Sequence, residues 1–370
     1  MWWSSSSWRN PAAVAGVLAA AAGVSALPQT GNSNSNNGDA CNNSPSLCQK
    51  KYNEVTYLGA HNSYALRDDS TDDSLSGNQY FNATVALDAG LRLLQAQTHQ
   101  GNATLELCHS SCDLLDAGPL EDWLARINVW MDDNPNEVVT VIVANEGDAP
   151  AAEFDRALQA SGIAQKAYAA ASGSPPGEWP TLREMIDDGK RFVLFATKVD
   201  FSPDTPAVLP EFDFVFETPF EVMTLGGFNC TVDRPSRLSA SASDALRQNY
   251  LSLVNHFKYA GFAGIQLPDV DTIETVNSAE VGKEGSLGTH LEQCRREWDA
   301  VPNFVLVDFW DEADPLAAVD SMNQVEEAAG RDESAVTTGG GRNAAGRVGA
   351  GEKMAFGALV AFFSAAVVLV

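Results

Sequence analysis

The sequence GLRLLQAQTHQGNATLELCHSSC, residues 90–112, decides the fold. It contains two short apolar runs, Leu91–Ala96 and Leu105–Cys108, on either side of the turn-like Gln100–Asn102. Runs of this length, bounded by glycine and polar residues, favour buried strands over helices. The second run ends at His109, so a titratable side chain directly follows a predicted strand.

A second histidine follows another predicted strand. Residues Glu54–Leu58 have the pattern of a strand, and the segment GAHNSY at residues 59–64 places His61 just beyond its end. Barrel enzymes keep catalytic groups at the carboxyl ends of buried strands. Because imidazole titrates near neutral pH, two histidines at such positions predict a general acid and general base pair. Two unrelated loop histidines are the alternative.

The composition is that of a large, acidic globular chain. The 370 residues are 45% hydrophobic, which allows a sizeable core, and the formal net charge is −26. A charge of this sign argues against nucleic acid as a partner and against electrostatic docking on anionic lipid. It suits a solvated extracellular surface, and solubility alone is a sufficient reason for it.

Both ends of the chain carry predicted processing signals. In residues 1–26, Arg9 precedes an Ala-rich apolar core and a cleavage site at Val24–Ala26, as in a secretory signal peptide. Residues 344–370 combine small residues, a polar spacer and an apolar tail, the pattern of a removed glycosylphosphatidylinositol (GPI)-anchor signal. A tail-anchored helix is the alternative. We expect an extracellular, cell-surface protein, lipid-anchored at the plasma membrane or the cell wall.

Six cysteines in a secreted chain predict disulfides rather than a metal site. Sequence alone allows many pairings. Cys41–Cys48 and Cys108–Cys112 are sterically easy, and Cys230–Cys294 is what remains. Four sequons fit a secreted surface and predict glycosylation at Asn42, Asn82, Asn102 and Asn229.

Between the ends, predicted strands alternate with helical patterns. This alternation predicts an α/β fold, a single-domain TIM (β/α)8 barrel over residues 41–325, after a disordered lead-in at 27–40 and before a stalk at 326–343. An open doubly wound sheet is the alternative. The helical patterns include Leu120–Ile127, Phe154–Ser161, Leu182–Asp188 and Ala242–Tyr259. The strand candidates are Glu54–Leu58, Leu91–Ala96, Leu105–Cys108, Val138–Ala144, Phe192–Thr197, Phe214–Glu217, Gly264–Leu267 and Phe304–Asp308.

Polar side chains stand at the ends of all eight predicted strands. Because the carboxyl ends of parallel strands meet at one face of a barrel, we expect these side chains to converge on its mouth. Each taken alone is equally compatible with a loop or capping role. The set comprises His61 with Asn62, Gln97, His109, Asn145 with Glu146, Lys198, Glu217, Asp269 and Asp308.

Several of these residues lie in motifs: GAHNSY at 59–64, QAQ at 95–97 and LCHSSC at 107–112. In this order, the motifs resemble the PLC-like phosphodiesterases. More narrowly, they resemble secreted fungal proteins with a phosphatidylinositol-specific phospholipase C X-type domain. Further matching segments extend the resemblance from Cys41 to Asn323: DWL at 122–124, NPNEVVT at 134–140, WPTL at 179–182 and FVLVDF at 304–309.

The resemblance implies a distorted TIM barrel that cleaves a phosphodiester next to an inositol-like hydroxyl. It implies that His61 is the general base that deprotonates the attacking ring hydroxyl. His109 would be the general acid that protonates the departing oxygen, and Asp308 the carboxylate that orients the base. The expected substrate is a phosphoinositide or another phosphodiester, with no cofactor.

The sequence departs from the family where charged groups are expected. Bacterial members carry an arginine, and calcium-dependent members two acids, where this chain has Gln97 and Gln95. A neutral glutamine can donate a hydrogen bond to phosphate but supplies no charge. Asn62, Glu146 and two glutamines would be a poor set of calcium ligands. We therefore expect no metal, or only weak calcium assistance.

The predicted substrate-binding residues are Asn62, Gln97, Glu146 and Lys198, with Lys198 as the candidate phosphate contact. Two other functions stay open. One is a catalytically weakened surface binding protein that keeps the barrel pocket for a sugar phosphate or glycan. The other is a structural cell-wall glycoprotein. His99, His256 and His290 are expected to have structural or surface roles.

Overall fold

The computed structural model describes residues 40–334, apart from 110, 111, 113, 114, 263 and 264. The predicted signal peptide, residues 27–39 of the lead-in, the stalk from residue 335 and the anchor signal lie outside these residues. The described strands are β1 Tyr57–Ala60, β2 Leu93–Gln100, β3 Leu105–Cys108, β4 Asp116–Pro119, β5 Val139–Asn145, β6 Phe192–Ala196, β7 Val208–Pro210, β8 Val215–Glu217, β9 Leu251–Asn255, β10 Tyr259–Phe262, β11 Ile265–Pro268 and β12 Phe304–Val307.

Helices connect most of these strands, and each described helix is too short or too polar to cross a bilayer. They are α1 Ala83–Ala89, α2 Leu120–Asp133, α3 Ala151–Ala160, α4 Leu182–Asp187, α5 Glu211–Phe214, α6 Ala242–Arg247, α7 Ile273–Val276, α8 Leu287–Trp298 and α9 Pro315–Asn323.

Eight strands are parallel and form one curled sheet in the order β7, β6, β5, β2, β1, β12, β9, β8. In the described part of the chain, the ladder does not close between the end strands β7 and β8. Strands β3 and β4 extend β2 as antiparallel neighbours, and β10 and β11 form a separate hairpin. The predicted distorted TIM barrel is confirmed.

The parallel sheet is buried on both faces, which explains its continuous apolar runs. In β6, Val193 and Phe195 pack in the same cluster as Phe304 of β12, inside the barrel. Their neighbour Leu194 packs in another cluster, together with Phe154 of α3 on the outer face. Consecutive residues therefore alternate between an inner core and a layer under the helices.

Two predicted strands lie outside the barrel. Leu105–Cys108 is β3, which pairs antiparallel with β2, and the predicted Gly264–Leu267 overlaps β11 of the hairpin. Short apolar runs predict a strand but not its partner. The barrel positions belong instead to β7 and β9, which the sequence analysis missed.

The prediction of one helix over Ala242–Tyr259 is wrong beyond Arg247. Helix α6 ends there, and Asn249 adopts a left-handed φ of 64° that breaks the helical path. The following residues, Leu251–Asn255, are buried throughout and pair with β8 and β12. Pairing in the sheet interior therefore overrides the local helical pattern.

The six cysteines form the pairs Cys41–Cys48, Cys108–Cys112 and Cys230–Cys294. The first two fasten short loops. The third joins the segment after β8 to helix α8, across a sequence separation of 64 residues.

The first part of the predicted stalk, residues 326–334, lies against the barrel. The backbone N–H of Ala329 donates to the carbonyl of Asn43 at 2.7 Å. The backbone N–H of Asp332 donates to the carbonyl of Asp88 at 2.8 Å. Both partners lie at the face where the strands begin. Asp88 precedes β2, and Asn42, next to Asn43, bonds to Val138 just before β5.

Candidate active site

The register between β1 and β12 places His61 beside Asp308, the carboxylate predicted to orient it. Ala60 of β1 pairs with Val307 of β12, so His61 and Asp308 project from adjacent strand ends. His61 Nδ1 lies 2.8 Å from Asp308 Oδ1, and the two residues are 8% and 1% exposed. The ring of Phe257 stacks on the imidazole, with centroids 3.8 Å apart and planes within 2°. The imidazole of His61 is therefore held in one orientation.

The second predicted histidine reaches the same place from the loop after β3. His109 Nδ1 lies 2.7 Å from the carbonyl oxygen of Ser76. Its Nε2 lies 3.3 Å from Asn62 Nδ2, which is also 3.2 Å from His61 Nε2. The structure thus brings both histidines to one amide nitrogen. A single small group can contact both rings.

The environment of His109 favours its neutral form. Burial lowers the pKa of His109, and the neighbouring His61 lowers it further, while the Ser76 carbonyl and Asp308 act in the opposite direction. The net pKa lies below the ordinary value of histidine. His109 is therefore harder to protonate than an ordinary histidine.

Gln95 supports the loop that carries the first histidine. The backbone N–H of Asn62 donates to Gln95 Oε1 at 2.7 Å, and that of Ser63 donates to the Gln95 carbonyl at 2.8 Å. Asn62 has a left-handed φ of 43°, which such bonds stabilise. Gln97 is half-buried and lies within β2, which continues to Gln100 rather than ending at Ala96 as predicted; it pairs in register with Ala144 of β5.

Lys198, the candidate phosphate contact, lies in an acidic cluster. Its Nζ is 3.3 Å from Glu146 Oε2 and 3.3 Å from Asp148 Oδ1, and its side chain is 46% exposed. Two carboxylates therefore already compensate the one positive charge. Glu146 is likewise occupied by this ion pair.

Two other strand-end residues make local contacts. The Asn145 side chain donates to the carbonyl of Ala149 and accepts from its N–H, both at 2.9 Å, and so closes the turn after β5. Asp269, after β11, forms an ion pair with Lys258 across the hairpin. These contacts are the local roles that the sequence analysis left open.

Arg234, which the sequence analysis missed, contributes a positive charge near the mouth. Its Nη2 lies 2.6 Å from Glu217 Oε2, at the end of β8, and its guanidinium lies 4.4 Å from the centre of the Phe220 ring. Burial and the charge of Asp308 raise the pKa of Tyr259, and Arg234 acts against them, so Tyr259 interacts with both charges. The Arg234 side chain is 42% exposed and can be reached from solution.

Asn78 and Gln79, both fully buried, were also missed. Gln79 Nε2 donates to the carbonyls of His61 at 2.7 Å and Val307 at 3.1 Å, fastening the ends of β1 and β12. Asn78 Nδ2 donates to Asp308 Oδ1 at 2.9 Å. These residues and Arg234 lie in loops, where neither periodicity nor a strand end marks them.

His256 and His290 form a separate, buried pair. Their Nδ1 atoms lie 3.0 Å apart, and their Nε2 atoms contact the carbonyl oxygens of Val276 and Asn229. Burial lowers the pKa of His256 well below its usual value and that of His290 to about 4. The pair is structural, as expected.

The side chains at the mouth are a poor match for a metal ion. In the described part of the chain, one group of three ligand-type side chains lies close enough for a metal: Cys230, His290 and Cys294. Its sulfurs are joined in a disulfide. At the mouth, the amide oxygen of Gln95 and the carboxylate of Glu146 are already bonded. These residues do not fit the several carboxylate oxygens that calcium prefers.

The four sequons differ in accessibility. Asn42 is 6% exposed, and its amide donates to the Val138 carbonyl at 3.2 Å and accepts from the Val138 N–H at 2.7 Å. A glycan on Asn42 would break these bonds, so the structure argues against this predicted site. Asn82 and Asn102 are exposed and Asn229 is partly buried, which keeps them as candidates.

Comparison with known proteins gives one matching family model, PI-PLC X (PI-PLC X 1), over residues 47–323. PI-PLC X domain-containing protein 1 of Arthroderma benhamiae is 38% identical over 288 residues, 76% of this chain and 89% of that protein. An uncharacterized secreted protein of the same organism is 34% identical over 272 residues, 73% of this chain and 60% of its own length. A pentafluoro-Phe-containing phosphatidylinositol-specific phospholipase C from Staphylococcus aureus has the same fold, with a TM-score of 0.50 at 13% identity, over 74% of this chain and 94% of that one.

Proposed function

The chain belongs to the PI-PLC X family, and on this basis we propose that it is an extracellular phosphodiesterase of the phospholipase C type, acting on an inositol-type phosphodiester. One observation carries the proposal. The Nε2 atoms of His61 and His109 lie 3.2 and 3.3 Å from the same amide nitrogen, with Asp308 behind the first ring. A reacting phosphodiester must contact one base and one acid at the same time, and this arrangement allows that.

In the proposed reaction, His61 Nε2 removes the proton of a ring hydroxyl beside the phosphodiester. The hydroxyl oxygen bonds to phosphorus while the bond from phosphorus to the departing alcohol oxygen breaks. His109 Nε2 gives its proton to that oxygen, so the products are a cyclic phosphodiester and an alcohol. Asp308 supports the positive charge that His61 acquires. Proton exchange with solvent, or attack of water on the cyclic product with the roles reversed, restores both imidazoles.

Negative charge that develops on the phosphoryl oxygens requires donors nearby. We assign the Asn62 amide as a neutral donor, because it lies between the two imidazoles. Arg234 is our candidate cation, because its partner Glu217 ends β8 and because it and Asp308 both act on Tyr259. Lys198 is the alternative cation; both side chains are partly exposed, and both are already paired with carboxylates. Gln97, within β2, stays a proposed substrate contact.

The test is a panel assay of the purified protein on phosphatidylinositol, glycerophosphoinositol and a phosphodiester that lacks inositol, with chelator and with added calcium. We expect turnover of the inositol substrates that does not require calcium. His109→Ala should lower kcat by about 10²–10⁴-fold, whereas the control His99→Ala, in β2, should leave it near the original value. Unchanged turnover in His109→Ala would remove the mechanism.

A surface binding protein is the second candidate. It is favoured by neutral Gln95 and Gln97 at the family's charged positions and by the compensated charge of Lys198. A barrel with weak charge stabilisation could still hold a sugar phosphate or a glycan in its mouth. Tight binding of inositol phosphate, with no turnover of any diester in the panel, would establish this function in place of the enzyme.

We propose that the protein is secreted and lipid-anchored. The 34% identical relative is named a secreted protein, and the anchor rests on the sequence pattern of residues 344–370. Ending the chain at residue 343 should move the protein from the cell surface to the medium. Retention of the shortened chain on cells would contradict the anchor.

A further inference from the structure

We infer that Asn78 is a positioning residue that holds Asn62 with its NH₂ group, rather than its carbonyl, facing Nε2 of both mouth histidines, and so opposes protonation of His109 at rest. The effect of Asn78 on catalysis rests on the proposed function. The orientation of the Asn62 amide does not, because the protonation of the histidines can be measured in the free protein.

The argument starts at Asp308, because a carboxylate only accepts hydrogen bonds. The side-chain atom of Asn78 that lies 2.9 Å from Asp308 Oδ1 is therefore its NH₂ group. This fixes the orientation of the Asn78 amide, which geometry alone would leave ambiguous. Its other end, Oδ1, then accepts from Asn62 Nδ2 at 3.2 Å. The NH₂ group of Asn62 consequently faces the histidines.

Asn62 Nδ2 has two hydrogens and three neighbours. One hydrogen bonds to Asn78, and the other points between His61 Nε2 at 3.2 Å and His109 Nε2 at 3.3 Å. An NH₂ group only donates, so both Nε2 atoms are acceptors at rest. Each imidazole therefore carries its proton on Nδ1, where Asp308 Oδ1 accepts at 2.8 Å and the Ser76 carbonyl at 2.7 Å.

This arrangement has different consequences for the two rings. His61 already has its base nitrogen free of a proton. His109 must gain a proton on Nε2, where the N–H of Asn62 would then oppose the new N–H. A phosphoryl oxygen that accepts the shared hydrogen of Asn62 removes this conflict. Substrate binding and protonation of His109 are therefore coupled through the Asn62 amide.

The position of Asn78 allows little rearrangement. Its backbone N–H donates to the Ala65 carbonyl at 2.9 Å, and its carbonyl accepts from the Phe309 N–H at 2.9 Å. The residue is 0% exposed. Its Nδ2 also lies 3.3 Å from His61 Nδ1, because both groups donate to the same carboxylate oxygen. The amide cannot turn without losing the bond to Asp308.

The first test measures imidazole ¹⁵N chemical shifts by NMR at about pH 8, well above the ordinary histidine pKa, and then as the pH is lowered. In the original protein at about pH 8, we expect protonated Nδ1 and unprotonated Nε2 for both mouth histidines. Asn78→Ala should keep these tautomers, because Asp308 and the Ser76 carbonyl still accept from Nδ1, but His109 should become protonated at a higher pH, because Asn62 can then turn its carbonyl toward Nε2. The matched control is Asn145→Ala, which removes another fully buried asparagine amide and should leave the titration of His109 unchanged. A resting Nε2–H form of either ring, or an unchanged titration of His109 in Asn78→Ala, would overturn the inference.

Asn78→Ser supplies the test if the alanine variant does not fold. Its shorter side chain cannot join Asp308 to Asn62, so His109 should again become protonated at a higher pH. On a substrate that is turned over, both variants should lower kcat about tenfold with little change in KM, and Asn145→Ala should not. The expected change in the titration of His109, without turnover of any diester, would contradict the proposed enzyme and leave this inference standing.

Discussion

Two histidine pairs in this molecule are built from the same side chains and differ in their surroundings. His61 and His109 meet at one amide nitrogen on the barrel mouth, and the carboxylate of Asp308 lies behind the first ring. His256 and His290 contact each other directly, with 3.0 Å between their Nδ1 atoms, and both their Nε2 atoms lie within hydrogen-bond distance of backbone carbonyls.

The difference lies in what each pair can do with a proton. Burial keeps the pKa of His256 and His290 far below neutrality, and neither ring has a carboxylate hydrogen-bonded to it in the described structure. A ring whose two nitrogens are fully used by protein groups has no position for a substrate. In the mouth pair, the Nε2 atoms of His61 and His109 share one N–H of the Asn62 amide, and a ligand can take the place of this long contact. Neighbouring groups, rather than residue type, distinguish a pair that could exchange protons with a ligand from a buried, structural pair.

The largest expected effect comes from comparing an alanine substitution in the mouth pair with one in the buried pair. His61→Ala should lower kcat per folded molecule by about 10²–10⁴-fold. It should also lower stability, because the buried carboxylate of Asp308 loses a donor. His290→Ala should keep kcat per folded molecule and lower the free energy of unfolding by about 1–3 kcal/mol, because the buried Nδ1 of His256 loses its partner. Kinetics and urea unfolding of both variants provide the measurement. A similar loss of kcat in His290→Ala would erase the distinction.

The second-largest effect is expected on acidification, which should lower the free energy of unfolding through the buried pair. Burial lowers the folded-state pKa of both rings, so their stabilisation is complete above about pH 6.5 and is lost as the pH falls, for His290 over the range down to about pH 4. For His290 the expected loss is at most about 3 kcal/mol. Urea unfolding at several pH values measures it. The double variant His256→Leu, His290→Leu should flatten this dependence, and an equally steep decline in the variant would contradict the assignment.

The smallest effect is expected at Lys198. Its charge is already compensated by Glu146 and Asp148, so Lys198→Ala should change kcat/KM by no more than about threefold, as for an exposed ion pair. Arg234→Ala is the comparison variant, with a larger expected decrease. If Lys198→Ala proves the more damaging of the two, the cation at the mouth is Lys198 after all.

Sequence reasoning located the parts of the mouth that follow directly from strands. His61 and Asp308 come immediately after β1 and β12, where a pattern of apolar runs marks the boundary. Asn78, Gln79 and Arg234 lie in polar loops, whose path depends on long-range contacts that leave no periodic signal. Strand β9 was missed for a related reason, because its burial between β8 and β12 is decided by partners distant in sequence.

The docking of residues 326–334 determines which way the molecule would face. Ala329 and Asp332 bond at the end of the barrel where strands begin, and the mouth is at the opposite end. The nine residues from 335 to the predicted anchor junction span at most about 30 Å. A tether of that reach would leave from the underside of the barrel and point the mouth outward. Such an orientation favours diesters in the surrounding medium or on an opposing surface over lipids of the supporting bilayer.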